Sequence, residues 1–419
     1  MSRLFCGVDF GTTNSTVGLC SKGGEPFLVS VEGDDVTIPT ALFFGLDGKG
    51  VRFGREAVHA YMEGTDGRFM RALKSILGSS LMKETTLVGR DRMTFQRMIG
   101  RFLAHLRGKL EQHQCTPPEQ VVLGRPVFFV DGDAEADRAA ENQLAEAARL
   151  EGFSHVEFQL EPIAAALNFE RSLNSEALAI VVDIGGGTSD FSVLRLSPER
   201  ARKIDRRDDI LSTSGVHVGG TDFDRWLSIA EVMPHFGLGT TTKDRKRHLP
   251  VWYFNDMATW HRINLLYTAK TERDIRDLMR EAERPDLLER YEHLLQHRSG
   301  HRLAARVEQA KIELSDRNET VIDFREPGLA LNLPISRPAF DDATSDLVAR
   351  IRTAIDTALR DAGVTADKVD TVITTGGGSR VSAVRAAAIE GFPHARVAET
   401  DRFGAVGLGL AIDAARRFS

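Results

Sequence analysis

The chain is short of several things, and each shortage removes a class of function. Only three of its 419 residues are cysteines, Cys6, Cys20 and Cys115, and their spacing fits no metal site. So sparse and odd a set points to reduced thiols in a reducing compartment, with Cys6 buried inside an apolar run. The twelve histidines show no HExxH-like spacing, so zinc is not expected. No apolar stretch is long enough to span a membrane, and no basic leader precedes an apolar segment at the start. A soluble, cytoplasmic protein is therefore expected. Neither sign of charge dominates: 54 basic and 60 acidic residues leave a formal net charge of −6. That balance makes no electrostatic case for nucleic acid or for an anionic membrane. The GxxxxGK[ST] loop and the GxGxxG helix start are both missing, which sets aside two common nucleotide folds.

What is present is a repeated hairpin. "FCGVDFGTTNSTVGL" at 5–19 and "LAIVVDIGGGTSDFSVL" at 178–194 each read as an apolar strand, an Asp at its end, a Gly-Thr turn and a second strand. Glycines allow close backbone approach, turn N–H groups form an anion-binding concavity, and the Asp is a hard oxygen suited to Mg²⁺ or its waters. A lone turn Asp ordinarily bonds its own backbone. Two in matched hairpins suggest two lobes gripping one phosphate chain. A third element, "VDTVITTGGGSRVSAV" at 369–384, runs from a strand through three glycines into a helix start.

A content of 42% hydrophobic residues supports a large core and two to three domains. Strands are expected at 3–10, 14–20 and 26–32, and a hairpin at 41–46 with 51–54. Helices are expected at 55–78, at 92–114, where Met93, Phe95, Met98, Phe102 and Leu106 form a stripe, and at 134–151. A buried strand is expected at 121–130.

Together the three glycine elements resemble the phosphate-1, phosphate-2 and adenosine motifs of the actin-like ATPase superfamily. Further segments resemble the ATPase domain of the heat shock protein 70 family, of DnaK type. "TIPTALFF" is similar to that family's TTPSxVxF, "RALKSILG" to xAxKRLIG and "VVLGRPVFF" to VITVPAYF. "EPIAAAL" is similar to EPTAAAL, "HVGGTDFD" to HLGGEDFD and "EQAKIELS" to ERAKRTLS. "YFNDMATWHRI" and "GRPVFF" resemble its short YegD-like branch. The resemblance implies an α/β, actin-like ATPase fold: two lobes, each a central mixed β-sheet flanked by helices, with nucleotide in the cleft between. The lobes would be 1–173, to which 398–419 return, and 174–397, with an enlarged helical subdomain at about 217–319.

The same resemblance implies ATP or ADP with Mg²⁺, and K⁺ as a further candidate ion. Asp9 and Asp183 would hold Mg²⁺ through water. Gly11, Thr12, Thr13, Asn14, Gly185, Gly186, Gly187 and Thr188 would meet the phosphates. Lys74, Glu161 and Asp190 would act with the two Asp on the attacking water and the ions. A surface-helix Lys is ordinarily just solvated, and it is the surrounding segment that singles Lys74 out. Gly219, Gly220, Glu308, Lys311, Ser315, Gly377, Gly378, Ser379, Arg380 and Asp401 would hold base and ribose. Glu308, Lys311 and Ser315 share one face of a helix, where the alternative for the first two is an ordinary i,i+3 ion pair.

Three departures stand out. The stretch from His217 to Glu308 is longer than in the family. Its charged, helix-prone excess at about 235–300 contains or adjoins all three Trp. It reads as a helical subdomain with its own core, or as a surface for a protein partner. Family members relay nucleotide state from a Pro to an Arg on the next helix; Pro126 is present, but the aligned position holds Glu141, with Arg138 a turn earlier. The sequence stops at Ser419, without the family's peptide-binding β-sandwich and lid. The expected function is thus an ATP-binding, slowly hydrolysing heat shock protein 70-like protein that does not clamp peptides by that route. A polymerising actin-like ATPase and a small-molecule kinase of the same superfamily are the alternatives.

Overall fold

The two hairpins seed two sheets built on one plan. A computed structural model describes residues 3–46, 50–88, 91–114, 118–130, 132–399 and 404–419. In the first sheet, Leu4–Phe10 and Asn14–Ser21 pair antiparallel, and Phe27–Leu28 and Thr37–Pro39 extend that side. Gln120–Arg125 then adds parallel to Leu4–Phe10, and His155–Leu160 adds parallel beyond it. In the second sheet, Ala177–Ile184 and Ser189–Leu196 form the hairpin, with Ile210–Val216 antiparallel beyond. Thr371–Thr375 and Arg396–Glu399 add parallel on the other side. Both sheets therefore place the third strand at one edge and the two crossover strands at the other, in the same order. Only the parallel strands need helical crossovers.

Register sets the chemistry. Asp9 lies opposite Thr16, and Asp183 lies opposite Asp190. Each Asp thus sits at the turn end of a buried interior strand, at the corresponding position in its sheet.

An apolar layer joins the sheets. It contains Phe5 and Val122 from the first, Val181 and Ile373 from the second, and two helices, Glu161–Glu170 and Ala405–Phe418. The helices are rich in Ala and Gly because they cross nearly in backbone contact. A Cβ on Gly409 would lie 1.8 Å from the Ala164 carbonyl oxygen, so no larger residue fits. The last helix packs on the first sheet although it follows the second in sequence. The helix Glu161–Glu170 is also pinned by a fully buried Arg206, which donates to both Glu170 oxygens at 2.9 Å and pairs with Asp209.

Several sequence-based elements change. The expected helix over 55–78 is three pieces: helix Gly54–Met62, strand Gly67–Arg71 and a 3-10 turn Leu73–Ile76. Gly64 takes a left-handed φ of +70° and ends the helix, after which residues 67–71 pair with 41–45. The strand expected over 121–130 stops at Arg125, because Pro126 offers no N–H to the ladder. Strand pairing covers only Phe27–Leu28 of the stretch 26–32. Residues 91–94 are a short strand ahead of the helix Phe95–Gln114.

The long segment of the second body folds into helices Trp252–Ala258, Ala269–Glu281 and Pro285–Gln296, leading into Gly300–Asp316. Pro285 begins the second of two helices, and the helical run breaks between Glu281 and Pro285. Tyr253, Phe254, Leu288 and Tyr291 are buried in one continuous core with the second sheet. Trp226 and Trp252 remain exposed.

Candidate functional site

The turns of the two hairpins face each other. A Cβ on Gly186 would come within 2.4 Å of the Thr13 hydroxyl, so only glycine lets the turns approach this closely. Behind the second turn lies the start of the helix Gly220–Leu227. The Gly220 and Thr221 N–H groups donate to the Gly185 and Gly186 carbonyls at 2.9 and 2.8 Å. A Cβ on Gly219 would meet the Gly187 nitrogen at 2.4 Å. Asp222 caps this helix start by accepting from the Gly219 N–H at 2.9 Å. Thr12, Gly187 and Thr188 are left exposed toward the space between the turns, and Gly185 closes its turn on the Thr188 carbonyl.

Beneath the turns five charged groups act on one another. Lys74, only 8% exposed, donates to Glu161, whose helix starts there. Burial first, then repulsion from Glu161, pushes the Asp9 carboxyl up to about 7, against the pull of Lys74. Burial, then Asp190, Glu161 and Asp9, pushes Asp183 up to about 8. Burial works against the Lys74 ammonium, yet Glu161, Asp9 and Asp183 outweigh it and hold the group above its ordinary range. Four carboxylates around one lysine leave negative charge uncompensated, and that excess fits a divalent cation. Among the described residues no three His, Cys, Asp or Glu side chains could hold one ion together, whereas the sequence reading has the cation held through water. Glu161, Asp183 and Asp190 themselves line a cavity of about 250 Å³, together with Pro126, Val127, Phe128 and Pro162 and with Ser192, Thr213 and Ser214.

The base-and-ribose residues form a second group. Lys311, on the helix Gly300–Asp316, reaches the Gly220 carbonyl at 3.2 Å and Asp224 at 2.9 Å. Burial raises Asp224 to about 6 against the pull of Lys311. Glu308 is exposed on the same helix, and Ser315 donates to its own helix at the Lys311 carbonyl. The third glycine element follows its strand as expected. Gly376 has φ +79°, and a Cβ there would lie 2.7 Å from an Asp183 oxygen. Gly378 packs on Ile184, and Gly377 is exposed. The Ser379 hydroxyl is committed to the Gly376 carbonyl at 2.7 Å, and Arg380 pairs with Asp316 at 3.1 Å. Gly11 and Asn14 close the first turn backbone to backbone, a Gly11 Cβ falling 2.2 Å from the Asn14 carbonyl. Asp401 lies outside the described residues.

The structure adds residues that the sequence did not single out. Asp224 was legible within HVGGTDFD but had no assigned partner. Arg125, next to Pro126, donates to Asp137 at 2.8 Å and pairs with Glu141. These pairs tie the strand Gln120–Arg125 to the helix Ala134–Leu150, with the arginine on the strand and the carboxylates on the helix. Arg71 opens RALKSILG and Trp260 lies within YFNDMATWHRI, but neither was given a role or a partner; the structure brings them together, the Arg71 guanidinium over the Trp260 ring.

Comparison with known proteins agrees with this geometry. The family model described as Hsp70 protein matches residues 76–242 and 287–416, most of the chain, and passes over 243–286 within the long helical segment. The chain is 27% identical over 413 residues to a protein named Chaperone protein dnaK1 from Prochlorococcus marinus. That match covers 92% of this chain and 52% of the relative. It is 25% identical over 406 residues to Chaperone protein dnaK from Guillardia theta, covering 90% of this chain and 54% of the relative. The chain spans about half the length of these curated relatives. With two sheets of one plan, facing glycine turns and a family match over most of its length, this chain belongs to the Hsp70 family and has the actin-like ATPase fold.

Proposed function

We propose that the chain binds ATP and ADP with Mg²⁺ between its two bodies and hydrolyses ATP slowly, as a nucleotide-driven module of chaperone type. The observation carrying this reading is the interacting charged group of Asp9, Lys74, Glu161, Asp183 and Asp190 beneath two abutting glycine turns. Asp9 and Asp183 would hold Mg²⁺ through its water shell, and the ion would neutralise phosphate charge. Thr12, Thr13 and the Gly185–Thr188 turn would cradle the phosphate oxygens with N–H and hydroxyl donors. Lys74, held by Glu161, would favour the charge that develops as the γ-phosphoryl leaves. Glu161 and Asp190 would align the attacking water and take its proton. Lys311 and Asp224 would anchor Glu308 and Ser315 on the ribose side, with Arg380 against the base.

Nucleotide contact with both turns would favour a closed arrangement of the bodies. A protein partner is proposed to meet the long helical segment, where Val251 and Trp252 are exposed. No helix is long and apolar enough to cross a membrane among the described residues; location in the cytoplasm remains part of this proposal. Phosphate release from ATP with and without Mg²⁺ tests the reading. Phosphate appearing on an added alcohol instead of in solution would favour the kinase alternative, whose supporting observation is the cavity lined by Asp183 and Asp190.

A further inference from the structure

At the mouth of the cleft, side chains of the first body meet side chains of the second. Tyr61, Phe69 and Arg71 come from the helix Gly54–Met62 and the strand Gly67–Arg71. Trp260 and His301 come from the long segment of the second body. The Trp260 ring lies 5.3 Å from Tyr61 and 5.6 Å from Phe69, centroid to centroid. The Arg71 guanidinium sits 4.5 Å from the centre of the Trp260 ring, a cation–π geometry. Trp260 is fixed from behind, since its carbonyl lies 3.1 Å from His301 Nε2 and its ring packs at 4.8 Å, edge to face, on that imidazole. The bodies are thus clasped by rings and one cation.

The chain beyond Arg71 makes this clasp more than a lid. Arg71 is the last residue of its strand, and Lys74 lies in the 3-10 turn Leu73–Ile76. The residue capping the start of that turn is Ala72, with φ 55° and ψ 32°. A left-handed alanine is strained and persists only where its surroundings over-determine it. On one side of Ala72 the over-determining contact is the Arg71–Trp260 stack. On the other it is the buried Lys74–Glu161 pair. A rigid reversed turn between two anchored side chains transmits a shift at one to the other.

We propose that Arg71 is a positioning residue for Lys74: pinned against Trp260 of the opposite body, it holds the strained turn at Ala72 so that Lys74 is set on Glu161 only while the clasp is closed. The role assigned to Lys74 rests on the proposed ATPase reading, but its placement does not. His301 heads the same helix that carries Glu308, Lys311 and Ser315, so the clasp ties both halves of the site to one contact.

The test reads Lys74 directly. The full chain, without nucleotide, is treated with an amine-acylating reagent, and modification at Lys74 is followed by mass spectrometry. Lys74 reacts slowly in the parent. It reacts at least about tenfold faster in Arg71→Met and Trp260→Leu, the double variant is no faster than either single one, and Arg71→Lys stays close to the parent. With ATP saturating, single-turnover hydrolysis falls about tenfold in the same variants while ADP affinity changes by less than about threefold. Unchanged Lys74 protection in folded Trp260→Leu, or faster ADP release with hydrolysis intact, overturns the proposal. Should Arg71→Met fail to fold, Trp260→Leu and Arg71→Lys decide alone. A parent that binds no nucleotide overturns the ATPase reading and leaves the acylation result standing.

Discussion

The floor and the mouth of the cleft are built in opposite ways. The floor is backbone: two glycine turns, a helix start and a third glycine element stacked within contact distance, with carboxylates delivered by strand register. The mouth is side chain: rings, a guanidinium and an imidazole from segments distant in sequence. The floor tolerates little change because backbone cannot move aside. The mouth rests on side-chain contacts that a change of rotamer would break. The proposed nucleotide-driven role would use both, a fixed charge pattern and a contact that can be lost.

The largest expected effect breaks the floor. Gly219→Ala drives a methyl into the backbone of Gly186 and Gly187. We expect ATP affinity to fall by roughly 100-fold or more, on the order of 3 kcal/mol. Gly108→Ala, on the helix Phe95–Gln114 and outside the turns, meets nothing within 4 Å and should bind within about threefold of the parent. Calorimetry on the two variants side by side checks the contrast, and equal losses would mean that the turns do not carry the nucleotide.

Next, Lys74→Ala removes the only cation among the interacting floor groups described above. Hydrolysis is expected to drop by about 100-fold, the scale of one lost electrostatic donor, while ADP binding stays largely intact. Rapid-quench assays at saturating ATP show the drop; parental turnover would make Lys74 merely structural.

A smaller effect concerns pH in the absence of divalent cation and nucleotide. Asp9 and Asp183 are pushed to about 7 and about 8, from an ordinary 3.8. Their protons are held more tightly in the folded state than in the unfolded one. The stability they contribute is therefore complete below the ordinary carboxylate range and is lost as pH rises through about 7 to 8. Their contribution to the melting temperature should decline from about pH 4 to about pH 8, and Mg²⁺ with ADP should restore more of it at the alkaline end. A flat profile would indicate that the carboxylates are not in conflict.

The smallest contrast compares two members of the site. Asp183→Asn should weaken the Mg²⁺-dependent part of ADP affinity more than Ser379→Ala. The serine hydroxyl already donates to Gly376, and a neutral hydrogen bond is worth about 0.5–1.5 kcal/mol net. The reverse order would place the metal elsewhere.

These differences track what the sequence can express. Asp9, Asp183 and the glycine elements were legible because turn chemistry is local, and each motif carries its strand and its turn together. Lys74 was found by its segment, but its setting was not: a helix was expected where a strand, a left-handed alanine and a 3-10 turn occur. Pairing of 67–71 with 41–45 overrides local propensity there, and such pairing leaves no periodic mark. The Arg125–Glu141 pair was half visible: Glu141 was noted as a departure, while its partner on the preceding strand was not. Trp260 was noted as part of an aromatic-rich segment, yet nothing in spacing joins it to Arg71. Contacts between bodies depend on the tertiary arrangement alone.

The central claim is that the paired glycine turns and the carboxylates beneath them form one Mg²⁺-dependent nucleotide site. Titration calorimetry of ADP and ATP into the full chain, with Mg²⁺ and then with chelator, tests it most directly. The account predicts one site per chain with clear affinity for both nucleotides, sharply reduced when Mg²⁺ is removed and reduced likewise by Asp183→Asn. No binding of either nucleotide in the presence of Mg²⁺, or binding indifferent to both the metal and Asp183, would contradict it.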